Sequence, residues 1–381
     1  MQEKVGIHIK QITNKKEMDE FINYPYELYK NDSNWVPPLR IERQEFFNPK
    51  KNPYFEHAEV VYFLAYKENK IVGRITAHED NIWNAHYKTK QGFFGFYESE
   101  DDLEVARHLL LAAETWCKQR GITNIMGPMD FNTNHELGFL TEGFDSPPVL
   151  MLKYTKQYYN TIFQNLNYTQ VRSLLSYSVQ AQEPLPEKFK KMADKARKFA
   201  GDSVQIRNMD LKNLRQELEP VLEIYNQAWS DNWGFIPMTS GEIDLLAQHF
   251  RLFADPKYIY ILEKNGSIAG FLLPLPDLNQ ALIKVRNGRL FPFGFIKLLW
   301  NFRKINRGSI VLLGVKKEFR NQGLELLLME RLHSDGRTPP IKYQSIETTW
   351  ILDSNKPMIA IMEFLNGKIV KRYSVLGKNL G

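Results

Sequence analysis

The stretch "VKKEFRNQGLELLLMERL", residues 315–332, joins a run of strand-forming residues to a leucine-rich segment. The preceding "GSIVLLGV" is typical of a buried strand, because β-branched residues and leucines follow one another without a polar break. After Gly323 the apolar residues recur with the spacing of one helical face, at Leu324, Leu327, Leu328 and Leu332. The stretch therefore predicts a strand, a short turn and a helix whose first N–H groups can face a phosphate.

Length and composition limit the class of protein to which the chain can belong. At 381 residues the chain exceeds one ordinary core, since roughly 150 residues per domain is usual. With 43% hydrophobic residues it should be folded throughout. Its single cysteine, Cys117, excludes an internal disulfide framework and a cysteine-rich zinc site. The net charge of +6 mildly favours anionic partners without identifying one.

The N-terminal residues and the most apolar window predict where in the cell the protein is located. The first residues are charged and carry no secretory signal. The most apolar window, "LFPFGFIKLLWNF", is shorter than the roughly 18 residues of a membrane span and contains a lysine. We therefore expect a soluble, cytoplasmic protein.

Two segments of the chain look alike. They are "AEVVYFLAYKENKIVGRITAHED", residues 58–80, and "KYIYILEKNGSIAGFLLPLPD", residues 257–277, with Gly73 and Gly270 at matching places. Each predicts a hairpin, and Asn265-Gly266 suits the positive φ of a two-residue turn. Behind each hairpin the patterns predict strand, helix, strand, helix and strand, and the endings "NLNYTQVRSLLSYSV" and "EFLNGKIVKRYSVLGK" are parallel. This repeated order indicates a duplicated αβ unit.

The boundary between the copies is predicted at a proline- and lysine-rich segment. Pro184 and Pro186 stop the preceding strand, and the lysine-rich residues after them favour a solvated helix. We predict a first domain at residues 1–179, a linker at 180–203 and a second domain at 204–381.

The order of elements resembles the GNAT acyltransferase fold, and the resemblance covers nearly the whole chain as two tandem copies. It implies an α/β (α+β) class, with each domain a mixed, mostly antiparallel twisted sheet flanked by helices. The family signature is Q/R-x-x-G-x-G/A after the fourth strand, and its backbone amides hold the pyrophosphate of acyl-coenzyme A. In the second copy "RNQGLE" supplies Arg320 and Gly323 but departs from the signature at Glu325.

The resemblance implies one cofactor site, in the second copy. Its candidate residues, which include the strand whose backbone would polarise the thioester, are Leu313, Gly314, Val315, Arg320, Asn321, Gln322, Gly323, Leu324 and Glu325. The first copy lacks the signature. Its acidic cluster would repel a pyrophosphate but suits the start of a helix: Glu98, Glu100, Asp101 and Asp102.

Acyl transfer to an amine requires a base, because an alkyl amine has a pKa of about 10.4. The polar segment "GPMDFNTNHELGFLTEGFDSPP", residues 127–148, supplies Glu136 as the first candidate base and His135 as the alternative. Asn132, Asn134 and Asp145 are candidate acceptor-binding residues there, although such residues also cap turns.

The tyrosine that protonates the leaving thiolate in the resembled family is replaced by Met362. Tyr373, Tyr343 or solvent are the possible substitutes, and the sequence does not choose among them.

In the second copy "WSDNWGFIPMTSGEI", residues 229–243, stands where the resembled family binds its acceptor. Asn232 and Trp233 are the candidate contacts there, with the alternative that the aromatic residues belong to the core. No dinucleotide fingerprint, Walker loop, metal motif or serine nucleophile is visible, so no metal is expected.

An insert in the second copy has no counterpart in the first. Residues 278–317 contain no Asp or Glu, and basic residues interleave with Phe291, Phe293, Phe295 and Trp300. Three interpretations stay open: part of the coenzyme's phosphate environment, a surface for anionic lipid or RNA, or a solvated basic helix.

Together these features predict an N-acyltransferase that moves an acyl group, acetyl as the first choice, from coenzyme A to a small-molecule or peptide amine. The alternatives are an aminoacyl-tRNA- or long-chain-acyl-dependent transferase and an inactive GNAT-like binding protein. The acceptor, the acyl chain length and the oligomeric state stay open.

Overall fold

The fold alternates strands and helices in a computed structural model that describes residues 6–230, 232–339 and 342–381. Within these residues the strands are β1 (His8–Gln11), β2 (Ala58–Lys67), β3 (Lys70–Asp80), β4 (Gln91–Ser99), β5 (Asn124–Gly127), β6 (Phe139–Glu142), β7 (Thr169–Gln180), β8 (Val204–Asn208), β9 (Tyr260–Lys264), β10 (Ser267–Pro276), β11 (Arg307–Val315), β12 (Ser345–Thr348), β13 (Ile351–Leu352) and β14 (Lys368–Asn379). The α-helices are α1 (Lys15–Leu28), α2 (Arg40–Phe46), α3 (Asn81–Tyr87), α4 (Leu103–Gln119), α5 (Tyr158–Asn165), α6 (Glu187–Ala200), α7 (Leu214–Trp229), α8 (Ser240–Phe253), α9 (Asn279–Leu282), α10 (Gly294–Phe302), α11 (Leu324–Gly336) and α12 (Lys356–Phe364).

The repeated order predicted from the sequence is confirmed. The first copy contains β2, β3, β4, α4, β5, α5 and β7 in this order, with α3 and β6 added, and the second contains β9, β10, β11, α11, β12, α12 and β14, with α9, α10 and β13 added. Both hairpin turns use two residues of positive φ: Glu68 (52°) and Asn69 (61°) in the first, Asn265 (52°) and Gly266 (76°) in the second. The mixed α/β fold with a mostly antiparallel sheet is also as predicted.

The chain divides into two compact units. The first unit contains residues 1–174, 282–299 and 371–381, and the second contains residues 175–281 and 300–370. The predicted linear division at 180–203 stays a prediction, and residues 1–5, 231, 340 and 341 of the predicted domains lie outside the described residues.

In the first unit the strands follow the order β1, β2, β3, β4, β5 and β14. β4 and β5 pair in parallel, while β14 pairs antiparallel with β5 and β6. Leu109 of α4 and Phe163 of α5 pack in one core cluster, and Phe21 of α1 and Phe96 of β4 belong to another. The first unit thus buries clusters that draw on helices from different parts of the chain.

In the second unit the order is β7, β12, β11, β10, β9 and β8, with β11 and β12 parallel. Ile224 of α7 and Phe271 of β10 share its core. The leucines of α11 are buried, as the helical spacing predicts. The lysine-rich segment forms α6 as predicted, and this helix buries Phe189 and three alanines.

No helix among the described residues is long and apolar enough to cross a membrane.

Candidate functional site

The residues that follow β5 occupy the edge of β4. The parallel pairing of β4 with β5 runs from Gln91 and Asn124 to Phe93 and Met126. Beyond it, the Met129 N–H donates to the Phe94 carbonyl at 2.8 Å. Gly95 lies against the Met129 carbonyl so closely that a Cβ would collide with it. Residues 127–138, which we name the polar loop, therefore occupy the edge of β4 where its strand partner ends.

Asp130 fastens the polar loop to the sheet. It is buried, its Oδ1 accepts the Phe96 N–H at 2.7 Å, and its Oδ2 lies 2.7 Å from the Lys153 ammonium. Its own N–H donates to the Glu136 carbonyl at 2.8 Å, which closes the loop. Phe96 has a positive φ of 48° beside a register shift between β3 and β4. A β-bulge such as this one, next to a polar site, can redirect a side chain or end the regular strand pairing.

Phe131 holds an unusual backbone conformation at the centre of the polar loop. Its φ is 84°, and its carbonyl accepts from His78 Nε2 at 2.8 Å and from the Tyr54 hydroxyl at 3.2 Å. Its ring stacks between Tyr54 and Phe46 at 4.6 and 4.9 Å. Burial lowers the pKa of His78 to about 4, so the imidazole is neutral and Nε2 carries the donated hydrogen. Such strain persists where surrounding contacts fix it, commonly at functional sites.

Glu136 has the electrostatics of a general base. The residue is half-buried, and burial raises the pKa of its carboxyl to about 7, with nearby Asp130 adding to the rise and Arg43 opposing it. Arg43 of α2 is bound to Glu42 at 2.5 and 2.6 Å and lies over the ring of Phe46. A carboxyl with a pKa near neutrality is well matched to accept a proton near pH 7.

His135 and Asn132 contact each other within the loop. Asn132 is buried, and its Oδ1 accepts the Asn134 N–H at 3.0 Å and lies 2.8 Å from His135 Nδ1. The His135 ring stands edge-on to Phe46 at 5.1 Å. Asn132 therefore has the turn-capping role that the sequence left open, while its role and that of Asn134 in acceptor binding stay predictions.

Asp145 is placed differently from the other candidates of this segment. It is exposed and follows β6, in a turn where Lys371 donates to the Ser146 carbonyl at 2.7 Å. The contacts of the polar loop described above do not include it.

The acidic cluster of the first copy divides into two kinds of residue. Asp102 caps α4 as expected, accepting from the N–H groups of Glu104 and Val105. Glu98 instead turns inward, where it accepts from the hydroxyls of Tyr29 and Tyr159 at 2.7 Å each, and burial raises the pKa of its carboxyl. The expectation that Glu98 belongs to the helix-capping cluster was wrong, because Glu98 lies within β4, whose residues from Gly92 to Ser99 are all buried.

In the second unit the corresponding strand edge, that of β11, is arranged differently. β12 pairs with β11 from Arg307 to Ile310, and the Thr349 N–H then donates to the Ile310 carbonyl at 3.0 Å. β11 continues to Val315 paired with β10 on its other side. Along this continuation Leu313 is half-buried, whereas Gly314 and Val315 are buried. Gly314 leaves no room for a side chain, since a Cβ would lie 2.7 Å from the ring of Trp229.

The turn before α11 contains two residues of positive φ. They are Asn321 at 62° and Gly323 at 73°, and Gly323 caps the helix that begins at Leu324. Gln322 accepts a hydrogen bond from Lys264. Residues in the left-handed conformation before a helix direct their backbone N–H groups into a common concavity. Such a concavity suits an anion.

The side chains around this turn set its charge. Arg320 lies 3.5 Å from the Gln227 carbonyl, and Glu325 is half-buried in the first turn of the helix. Gly323 also lies against α6, where a Cβ would be 2.8 Å from Ala196. Close helix packing is thus a second reason for glycine at this position.

Asn232 and Trp233 follow α7 in the second unit. The Asn232 N–H donates to the Trp229 carbonyl at 2.8 Å, and its carbonyl accepts the Phe235 N–H at 3.2 Å. Both residues are half-buried. Trp229 and Phe235 pack against Tyr225, so these aromatics belong to the packed interior that the sequence offered as the alternative.

Met362 is fully buried and lines an apolar cavity of about 40 Å³ in the second unit. Tyr343 lines the same cavity, and burial raises the pKa of its hydroxyl above the usual range. Tyr373 belongs to the first unit. Of the two tyrosines named as substitutes, Tyr343 is the one that shares the cavity of Met362.

Two relatives match the chain from end to end. A protein named bacterial ceramide synthase, from Caulobacter vibrioides, is 34% identical over 96% of this chain and 95% of its own length. Protein YghO of Escherichia coli is 34% identical over 98% of this chain and 95% of its own length. No family model matches the chain.

Solved structures agree on the fold. A tandem GNAT protein from the clavulanic acid biosynthesis pathway matches with a TM-score of 0.55 and 11% identity over 99% of both chains. A GCN5-related N-acetyltransferase from Sphaerobacter thermophilus matches with a TM-score of 0.53 and 12% identity over 98% of this chain and 96% of its own. The chain belongs to one family with the two end-to-end relatives, and its fold is the tandem GNAT fold.

Sequence reasoning about this chain missed Arg43, Lys153 and the bulge at Phe96. Arg43 and Lys153 are far in sequence from Glu136, and no local pattern marks either. Phe96 follows Gly95 in "GFFGFYE", and a glycine inside a strand is the one signal that suggests a bulge. Among the described residues, no group of three or more His, Cys, Asp or Glu residues could hold a metal ion.

Proposed function

We propose that the chain transfers a long acyl group from a coenzyme A thioester to the primary amine of a long-chain amino alcohol. The observation that carries the proposal is the end-to-end similarity, at 34% identity, to a protein named bacterial ceramide synthase. A ceramide is the amide of a fatty acid with a long-chain amino alcohol. This similarity favours a long acyl group over the acetyl group that the sequence placed first.

Glu136 is the proposed base of this reaction. The acceptor attacks as a neutral amine, so a proton must leave the nitrogen as the C–N bond forms. A carboxylate with a pKa of about 7 accepts this proton near neutral pH. The thioester C–S bond breaks with its electron pair on sulfur, and the thiol leaves after gaining a proton. His135 is the alternative base in the same loop.

The residues at the start of α11 fit the phosphates of the co-substrate. The positive φ values of Asn321 and Gly323 support a backbone cradle, and Arg320 can add a charge-assisted contact. Glu325 is the departure from the family signature, and it fits only with its carboxylate turned away from the phosphates. Leu313 to Val315 would offer backbone groups to the thioester oxygen, where N–H donors stabilise developing negative charge.

The proposal is tested by a matrix of two donors and two acceptors. Purified protein receives palmitoyl- or acetyl-coenzyme A, with either a long-chain 2-amino-1,3-diol or its short-chain counterpart. Free thiol release gives the rate, and mass spectrometry identifies the amide. We expect amide formation with the long donor and the long acceptor.

Acetylation of the short amine at an equal or higher rate would overturn the long-chain assignment and restore the acetyl donor. Thermal unfolding with each coenzyme A form separates a wrong acceptor from a missing donor site. At about 100 times its dissociation constant a ligand of the native state adds roughly 2.7 kcal/mol to stability, which moves the midpoint by degrees. A shift without turnover would overturn the acceptor class only, and no shift with any form would overturn the donor site.

A further inference from the structure

Five large apolar side chains are exposed between residues 291 and 299 in the first unit. Their exposed fractions are Phe291 80%, Phe293 68%, Phe295 49%, Ile296 64% and Leu299 51%. We name these five residues the aromatic tip. Isolated exposed apolar residues are ordinary, but a contiguous group marks an interaction surface.

The tip has the form of an interfacial helix. Phe295, Ile296 and Leu299 occupy positions i, i+1 and i+4 of α10, which fall on one face of a helix. The next residue of the same helix, Trp300, is 62% exposed. Trp and Phe with aliphatic neighbours are the side chains that enter the boundary between lipid headgroups and acyl chains.

The base of the tip is fixed to the first unit, so its exposure does not come from a loose segment. The guanidinium of Arg286 donates to the Trp35 carbonyl at 2.8 Å and to the Asp32 carbonyl at 2.5 Å. Arg40 at the start of α2 donates through its N–H to the Gly288 carbonyl at 2.9 Å and through Nε to the Asn287 carbonyl at 2.8 Å. A fixed base presents the apolar side chains with little ordering cost on binding.

The charged residues of the segment that carries the tip have one sign. Residues 278–317 contain no Asp or Glu. Lys284, Arg289 and Lys297 are exposed beside the tip, and Arg303 and Lys304 are exposed just after α10. Cations at this position attract anionic lipid headgroups.

We propose that the aromatic tip docks the protein on the surface of a bilayer that contains anionic phospholipid. α10 has nine residues, about 14 Å at 1.5 Å per residue, so it lies in the interface and does not span the roughly 30 Å hydrocarbon core. Ile296 and Leu299 distinguish lipid from RNA, because aliphatic side chains give no platform for base stacking.

The tip and the polar loop are connected through one short helix of the first unit. Arg40 at the start of α2 binds the base of the tip, Arg43 one turn later acts on the pKa of Glu136, and Phe46 contacts His135. The base of the tip and the polar loop thus contact the same short helix. The proposal does not rest on the proposed function, because vesicle binding needs no turnover.

The test is co-sedimentation of the full chain with vesicles of phosphatidylcholine alone or with one third phosphatidylglycerol. We expect binding to the anionic vesicles that weakens with salt. The triple variant Phe291→Ser, Phe293→Ser, Ile296→Ser should bind about a hundredfold more weakly, because it removes three apolar side chains from the interface. Quenching of tryptophan fluorescence by bromine-labelled acyl chains should fall in Trp300→Phe.

The matched control is Leu103→Ser, Leu111→Ser, Phe199→Ser, which removes three apolar side chains exposed elsewhere, at 40%, 53% and 71%. Its binding should equal that of the parent. Equal binding by the two triple variants, or no binding by the parent, would overturn the proposal. Equal binding to both vesicle types would overturn its anionic part. Self-association or bound RNA that is lost only in the tip variant, without vesicle binding, would assign the tip to a second copy or to nucleic acid instead.

Discussion

The two copies of the αβ unit use the same strand edge in opposite ways. In the first copy the edge of β4 is filled by the chain's own residues, Met129 to Phe131, which bind Phe94 and Phe96. In the second copy β12 leaves β11 after Ile310, and β11 continues to Val315 beside the turn that starts α11. A duplicated edge has thus become a polar loop in one copy and a strand end with an adjacent anion-suited turn in the other.

We infer from this difference that the two copies have separate roles. In the first copy the edge of β4 holds the loop that contains Glu136. The acidic residues near α4 disfavour a phosphate at this helix start. The second copy keeps the part of the family signature formed by Arg320 and Gly323. We infer that the base belongs to the first copy and donor binding to the second, and the following changes test this division.

The largest expected effect is that of Glu136→Gln on turnover. Loss of a general base lowers kcat by about a hundredfold to ten-thousandfold. The parent's kcat/KM should rise with pH to a plateau above about pH 7, since the carboxyl must be deprotonated to act. Steady-state kinetics across pH should show this limb in the parent and its loss in the variant.

His135→Gln is the matched control for that substitution. It should keep the ascending limb and most of the activity. The reverse pattern, with activity lost in His135→Gln and kept in Glu136→Gln, would transfer the base to His135.

Arg320→Gln should weaken the binding of free coenzyme A by about tenfold to a hundredfold, because a charge-assisted contact to a phosphate is lost. Titration calorimetry measures the dissociation constant. Glu325→Gln is the opposite probe and should bind as tightly as the parent or more tightly. Gly323 is unsuited to this test, because its φ of 73° and the contact with Ala196 would couple any side chain to folding.

Glu136→Gln should leave coenzyme A binding unchanged. A loss of binding in Glu136→Gln would break the division of work between the copies, and unchanged binding in Arg320→Gln would remove Arg320 from the donor site.

Gly95→Ala should lower the free energy of unfolding by about 1–3 kcal/mol, since its methyl group would collide with the Met129 carbonyl. Gly336→Ala provides the control, because a Cβ there meets nothing within 4 Å. Denaturant unfolding compares the two. A Gly95→Ala protein as stable as the control would mean that the polar loop does not need its close contact with β4.

The last change concerns the burial of Glu136 and predicts a pH-dependent stability difference between the parent and Glu136→Gln. The pKa of Glu136 is about 7 in the folded protein and near 4.5 without burial, so the folded state binds more protons between these values. The parent therefore loses stability relative to the variant as pH rises from about 4.5 to 7. Unfolding midpoints at pH 5 and pH 8 should show the variant gaining on the parent, and a constant difference would argue against a buried carboxyl.

Much of the fold could be predicted because its signals are local. Asn265-Gly266 specified its turn, the leucines after Gly323 specified α11, and the repeated order identified the duplication. Glu136 was also found locally, as a carboxylate in a loop crowded with turn residues. Its raised pKa was not, because that depends on burial by the folded chain.

The remaining features depend on neighbours that are distant in the sequence. Lys153 binds Asp130 across 22 intervening residues, and His78 reaches the Phe131 carbonyl across still more. Glu98 comes shortly before the acidic residues that precede α4, yet it lies in the buried strand β4 and contacts Tyr29 and Tyr159. In each case the partners meet only in the folded chain, which periodicity within one segment does not report.

The assignment of most of the last strand, β14, to the first unit affects when that unit can fold during synthesis. Residues 371–381 belong to the first unit, although the earlier main part of that unit ends at residue 174. On the ribosome the first unit must therefore wait for the second copy to be synthesised before β14 can join β5. Cutting the gene between the copies would give two fragments of which neither holds a complete unit. Each compact unit is thus completed by residues from the other copy.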